Sequence, residues 1–134
     1  MPNRIFKFVI GTFGAIGVSF GAFGAHALKA QLIASGHLET WQTAVLYQMI
    51  HTVALLTLSA PNGGTNQTAN RLLTATIWSW VCGIIFFSGS LYALALGGPH
   101  WLGPVTPLGG LAFIIGWGCL ATSGLKSSKP PAKP

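Results

Sequence analysis

Four long apolar stretches alternate with short polar breaks along the chain. Between Lys7 and Lys29 no Asp, Glu, Lys or Arg occurs, and the run from Phe8 to Leu28 matches the ~20 residues that a helix needs to cross a bilayer core. A second run, Trp41 to Ala60, lies between Glu39 and the polar segment Asn62-Gly63-Gly64-Thr65-Asn66-Gln67-Thr68-Ala69-Asn70. From Leu72 to Leu125 no residue carries a fixed charge, a length near twice what one helix can use, so the chain must turn back within it. The turn falls at Gly97-Gly98-Pro99-His100-Trp101-Leu102-Gly103-Pro104, because Gly and Pro together end a helix and Pro104 suits the first turn of the next. The pattern predicts an all-α integral membrane bundle of four transmembrane helices, with spans at about 8–28, 41–60, 72–96 and 104–125. Residues 1–125 form one transmembrane domain, and 126–134 form a disordered basic tail of Ser, Lys and Pro.

Composition agrees. Hydrophobic residues make up 51% of the chain and charged ones 6%, against roughly 25% charged in a soluble domain. In water most helix surfaces would have nothing to bury against. In lipid the backbone must bond within each helix while side chains can be apolar all round.

Charge sets the orientation. With four spans, Arg4, Lys7, Arg71, Lys126, Lys129 and Lys133 share one side, whereas the other side has Lys29 alone, beside Glu39. The positive-inside rule then places both termini in the cytoplasm. The net charge of +6 is accounted for by these membrane-flanking cations, so no nucleic-acid partner is expected. Arg4 and Lys7 followed by an apolar run and Ala25-His26-Ala27 have the outline of a signal peptide. The run exceeds a typical h-region, however, and removing it would split the basic segments between the two sides.

The first span is rich in glycine, and Gly17 and Gly21 have the GxxxG spacing that lets another helix approach closely. Gly17, Gly21 and Gly24 on span one, with Gly109 and Gly110 on span four, are the expected helix-packing residues. Gly83 and Gly89 offer a further surface on span three.

Span two carries the most unusual polar pattern. Glu39, Thr43, Tyr47 and His51 recur at i, i+4 and form one drifting stripe. At 1.5 Å per residue, His51 lies about 15 Å below Trp41, near the bilayer midplane. A histidine at that depth must be hydrogen-bonded and face inward. Tyr47 is its nearest partner on the helix, with Gln48 and Thr52 on adjoining faces. His26, Ser88, Tyr92 and Thr106 reach the same outer half. These residues complete a candidate polar core that is either a wet cavity or a dry packing contact.

Reactive chemistry is sparse. His26, His37, His51 and His100 come from separate segments without a local ligand pair, so no metal site is assigned. Cys82 and Cys119 occur singly, without CxxC spacing. One acidic residue excludes two-carboxylate acid/base catalysis, and the chain has no phosphate loop or nucleophile elbow. No catalytic residue and no cofactor are assigned.

The string Gly21-Ala22-Phe23-Gly24-Ala25-His26-Ala27-Leu28, then Tyr47-Gln48 with His51-Thr52 and Ala54-Leu55-Leu56, resembles the YgdD/YwdK family of small inner-membrane proteins. Phe87 to Leu96, Thr106-Pro107-Leu108-Gly109-Gly110 and Gly116-Trp117 are similar to that family's third and fourth spans. The match covers about Gly11 to Leu125. It departs from the family pattern at Leu46, where many members have a Glu before the Tyr-Gln pair, so any role of that acid is absent here. The resemblance implies a multi-pass protein of the bacterial inner membrane and supplies no activity, since the family is a domain of unknown function.

Three classes of function remain. The leading one is a structural or accessory membrane component that acts through helix packing, with the lipid bilayer and either a second copy or another membrane protein as partner. The second is a small transporter or channel using the stripe Glu39, Thr43, Tyr47 and His51. The third is an enzyme acting on a lipid or quinone, with His26 or His51 as base.

Overall fold

A computed structural model of the protein describes residues 4–59 and 66–126. The centre of the expected second loop and all of the expected disordered tail beyond Lys126 lie outside the described residues. Every regular element among the described residues is helical. The elements are α1 (Arg4–Ala25), α2 (Lys29–Ala34), α3 (Leu38–Thr57), α4 (Gln67–Gly83), a π-helical turn (Ile84–Ser88), α5 (Gly89–Ala95), a 3₁₀ turn (His100–Leu102) and α6 (Val105–Lys126).

Local chemistry explains the ends. α2 stops at Gly36, whose φ of 73° fits the left-handed C′ position. Gly36 N–H then bonds Ile33 O, and His37 N–H bonds Leu32 O, the paired bonds of a Schellman motif. α5 ends the same way at Gly97, φ 84°, with Gly97 N–H on Leu94 O and Gly98 N–H on Ala93 O. Asn66 caps α4 by accepting from Ala69 N–H at 2.8 Å. Its amide nitrogen donates to Lys126 O, which ties the start of α4 to the end of α6.

The helices differ from the expected spans in three respects. α1 ends at Ala25 rather than Leu28, and the segment expected as a loop contains α2. α3 starts at Leu38, three residues before the expected Trp41, and stops at Thr57, three residues before the expected Ala60. The expected third span is helical from Gln67 to Ala95 but contains the π-turn, where Gly89 N–H reaches back to Ile84 O.

Packing pairs the helices. α1 and α3 run antiparallel, with Gly24 against Trp41, Gly17 against Met49 and Gly14 against Thr52. α6 runs antiparallel to the α4–α5 stretch, with Gly116 against Trp80, Gly109 against Phe87, and Thr106 against Ser90. α3 also packs on α5 and the π-turn, joining the two pairs. One apolar cluster holds Ile10, Leu55, Trp80, Ile84 and Phe113, and a second holds Leu32, Trp41, Ala44, Tyr92 and Ala95.

Large apolar side chains also point outward, among them Val18, Leu46, Val53, Trp78, Ile85 and Ile114. Such a surface suits lipid rather than water. Among the described residues, the helical stretches Arg4–Ala25, Gln67–Ala95 and His100–Lys126 are long and apolar enough to cross a membrane. α3 is long but more polar, because Glu39, Gln42, Thr43, Gln48 and His51 dilute its apolar residues.

Candidate functional site

The interior polar site is built around α3, but on a face one residue away from the expected stripe. The buried line of this helix runs through Trp41, Ala44, Gln48, Thr52 and Leu55, with His51 beside it. Glu39 and Tyr47 are exposed, and Thr43 is half-buried. The i, i+4 spacing holds equally for the line 44, 48 and 52. The polar residues of the expected stripe therefore divide between the surface and the interior.

Gln48 is the hub. Its Nε2 donates to Phe13 O of α1 at 2.7 Å, and its Oε1 accepts from the Tyr92 hydroxyl of α5 at 2.8 Å. Thr52 Oγ1 donates to Gln48 O one turn below, at 2.7 Å. A glutamine amide suits this position because it offers a donor and an acceptor at one side-chain end, so one residue links two helices. Above it, Trp41 Nε1 donates to Phe20 O at 2.8 Å, and Ser88 Oγ donates to Ala44 O at 2.8 Å. Phe20, Trp41 and Tyr92 close this end with ring centroids 4.7 to 5.4 Å apart.

His51 has both ring nitrogens engaged. Trp117 Nε1 donates to its Nε2 at 3.1 Å, and its Nδ1 lies 2.8 Å from Tyr47 O. The indole can only donate, so Nε2 accepts, and Nδ1 carries the proton donated to the Tyr47 carbonyl. The expected Tyr47 partnership is therefore made by its backbone. The Tyr47 hydroxyl has no hydrogen bond among those of the described residues. The imidazole stacks on Phe113, with centroids 3.6 Å apart and planes 12° from parallel. An open groove of ≈ 520 Å³ passes over this pair, between Tyr47 on α3 and Gly110, Ile114 and Trp117 on α6.

The remaining expected polar residues take separate positions. Thr106 Oγ1 meets Ser90 Oγ at 2.6 Å, and Ser90 Oγ also donates to Phe87 O at 3.0 Å, a carbonyl within the π-turn. His26 is exposed in the turn after α1, away from the hub. Among the described residues, no three His, Cys, Asp or Glu side chains come together as a metal site would need. Cys82 and Cys119 are half-buried free thiols. Trp80 Nε1 is buried without a hydrogen-bond partner, and its ring lies on Gly116 and 4.6 Å from the Trp117 ring. The polar belt of Gln48, His51, Thr52, Ser88 and Tyr92 thus adjoins both apolar clusters, with Tyr92 part of the second and His51 stacked on Phe113 of the first.

Sequence reading passed over Gln48 as the hub, along with Trp41 and Trp117 as donors. The available signal was spacing: Gln48 shares a helix face with Trp41, Ala44, Thr52 and Leu55, and an amide in the middle of such a face marks an interior bridge.

The glycines separate into two groups. A Cβ on Gly24 or Gly116 would strike the ring of Trp41 or Trp80, and one on Gly83 would strike Phe113. A Cβ on Gly17 would meet Met49 Sδ at 2.5 Å, and one on Gly109 would lie 2.7 Å from the Phe87 Cα. Gly21 and Gly110 have room for ordinary contacts, at 3.4 Å from Val45 and 3.6 Å from Phe87, and Gly89 has open space.

A family model described as "Protein of unknown function (DUF423)" matches residues 20–110. A UPF0382 membrane protein of Staphylococcus aureus (strain bovine RF122 / ET3-1) is 44% identical over 110 residues, 81% of this chain and 86% of its own length. The UPF0382 membrane protein YwdK of Bacillus subtilis is 36% identical over 119 residues, 88% of this chain and 94% of its own. A UPF0382 membrane protein of Haemophilus influenzae is 41% identical over 110 residues, 82% of this chain and 85% of its own. No solved structure matches. The apolar outward faces, the long helices and these relatives agree: the chain is a membrane protein of the DUF423 (UPF0382) family.

Proposed function

We propose that the chain is a four-span protein of the bacterial inner membrane with both termini in the cytoplasm. It serves as a structural or accessory component that acts through helix packing, against a second copy or another membrane protein. α3 is the fourth span in this reading. Its 20 residues reach about 30 Å, the thickness of a bilayer core. Its polar groups are the reason it is less apolar than its neighbours, and the deepest of them are bonded to other helices. Leu46, Ile50, Val53 and Leu56 are left on its outer side.

One observation carries the functional reading: Gln48, His51, Ser88 and Tyr92 have their hydrogen bonds within the helical assembly. Groups engaged this way hold helices in register. A conduction path needs polar groups that exchange partners along its length. The test combines labelling and flux. In a Cys82→Ala, Cys119→Ala background, Ser35→Cys should react with an impermeant thiol reagent from outside and Ser128→Cys should not. In vesicles, the protein should add no proton flux under a pH gradient, and His51→Gln should stay folded while His51→Leu loses stability. Outside labelling of Ser128→Cys would reverse the topology. Proton flux abolished by His51→Gln would replace packing with transport.

A further inference from the structure

We propose that the inner end of the α1–α3 seam binds one anionic phospholipid, with Lys7 holding the phosphate and the groove below it holding an acyl chain. The groove has a volume of ≈ 580 Å³ and is lined by Lys7, Gly11 and Gly14 on α1, and by Val53, Leu56 and Ser59 on the α3 side. Its floor is bare because of the glycines. A Cβ on Gly11 would meet nothing within 4 Å, and one on Gly14 would meet only the Thr52 methyl, at 3.8 Å. One turn further, Met49 lies over Gly17 and closes the seam. From Lys7 to Gly14 is about 10 Å along the helix, about a third of a ~30 Å bilayer core. The groove thus runs within one leaflet.

Charge chooses the headgroup. Lys7 and Arg4 are exposed and stand three residues apart on one side of α1. Lys7 has no ion pair among the described residues. The only Asp or Glu side chain in the chain is Glu39, about 30 Å away along α3 from Ser59. A lysine at the rim can lay its stem along the apolar wall and raise its ammonium to the phosphate layer. No carboxylate competes there, so the ligand must bring the negative charge.

The inference rests on the four-span reading, and its test separates the two. The full-length protein is purified in detergent and offered dioleoyl phosphatidylglycerol or dioleoyl phosphatidylcholine, with bound lipid counted by native mass spectrometry. One phosphatidylglycerol should be retained, with roughly fivefold preference over phosphatidylcholine, the discrimination expected of about one cation at an anionic surface. Lys7→Gln should abolish the preference, Lys29→Gln at the start of α2 should not, and Gly14→Leu should reduce retention of both lipids by filling the groove. Glycerol 1-phosphate should fail to compete, because it lacks the chain. Equal retention of the two lipids by the wild-type protein, or a preference that survives Lys7→Gln, overturns the site. Labelling of Ser128→Cys from outside would instead overturn the four-span reading and leave the lipid count to stand or fall separately.

Discussion

The α1–α3 seam and the α4–α6 seam are both lined by glycine, yet they are closed by different means. Along α1–α3, side chains of α3 reach over the bare backbone of α1 and bond its carbonyls: Trp41 to Phe20 O and Gln48 to Phe13 O. The residue that fills the space at Gly17 is a flexible methionine. Along α4–α6, the rings of Trp80 and Phe113 press against Gly116 and Gly83, and at Gly109 the neighbour is the backbone of Phe86 and Phe87 itself. Side chains bond across this seam as well, Thr76 Oγ1 to Gly116 O at 3.2 Å, Ser90 to Thr106 at 2.6 Å and Asn66 to Lys126 O at its end, but they do not set its spacing. Hydrogen bonds to an already paired carbonyl set register with some tolerance in spacing. Backbone against backbone has almost none.

The comparison is broken most sharply at Gly109. A methyl group there would meet Phe87 Cα at 2.7 Å and Phe86 C at 2.8 Å, and neither atom can rotate away. Overpacking a tight core costs about 1–3 kcal/mol when side chains can adjust, and here the helices themselves must part. Gly109→Ala should therefore lower stability in detergent by about 3 kcal/mol or more, read as the loss of folded protein after thermal challenge. The neighbouring Gly110→Ala, with Phe87 ring atoms at 3.6 Å, should stay close to wild type. Equal behaviour of the two variants would show that α6 has freedom to move at the π-turn.

Gln48 tests the other seam at an intermediate scale. Gln48→Leu keeps the volume near that of the amide but leaves the buried Tyr92 hydroxyl without its acceptor, a loss of about 1–3 kcal/mol. Tyr92→Phe should recover part of that loss in the double variant, because the orphaned hydroxyl is then gone. Couplings of this kind within membranes are about 0.6–1.7 kcal/mol. Strict additivity of Gln48→Leu and Tyr92→Phe in chemical denaturation would remove Gln48 as the link between α1 and α5.

Much of the helical plan was legible in the chain because lipid imposes simple demands. Long uncharged intervals, a Gly-Pro turn at 97–104 and a polar break near 62–70 locate helices α1, α3, α4–α5 and α6 within a few residues. What stayed hidden depended on rotation and register. Positions 39, 43, 47 and 51 and positions 44, 48 and 52 have the same period, and the choice between adjacent faces is made by neighbours distant in sequence: Phe13, Ser88 and Tyr92. The π-turn leaves no compositional mark in Ile84-Ile85-Phe86-Phe87-Ser88, and the contacts made there, Phe87 against Gly109 and Ser88 to Ala44 O, are with residues distant in sequence. α2 was hidden for another reason. Six residues with a single turn of apolar side chains are too short for periodicity to show.

Gly17 should give the smallest effect of the three positions, although its spacing with Gly21 is the strongest packing motif in the sequence. A Cβ there meets Met49 Sδ at 2.5 Å and Gln48 Nε2 at 3.3 Å, so contact is certain. Yet the first neighbour is the sulfur of an unbranched thioether with three rotatable bonds, beside the open grooves on either side of Met49. Gly17→Ala should cost about 1 kcal/mol or less as the thioether swings aside, which is the low end of overpacking penalties. Gly118→Ala, with nothing within 4 Å, supplies the reference for helix propensity alone, a gain of up to about 1 kcal/mol. Pairing Gly17→Ala with Met49→Ala isolates the contact, since removing the thioether should erase the penalty. If the penalty persists in the pair, Gln48 Nε2 is the atom being struck, and the α1–α3 seam then yields less than the flexible methionine implies.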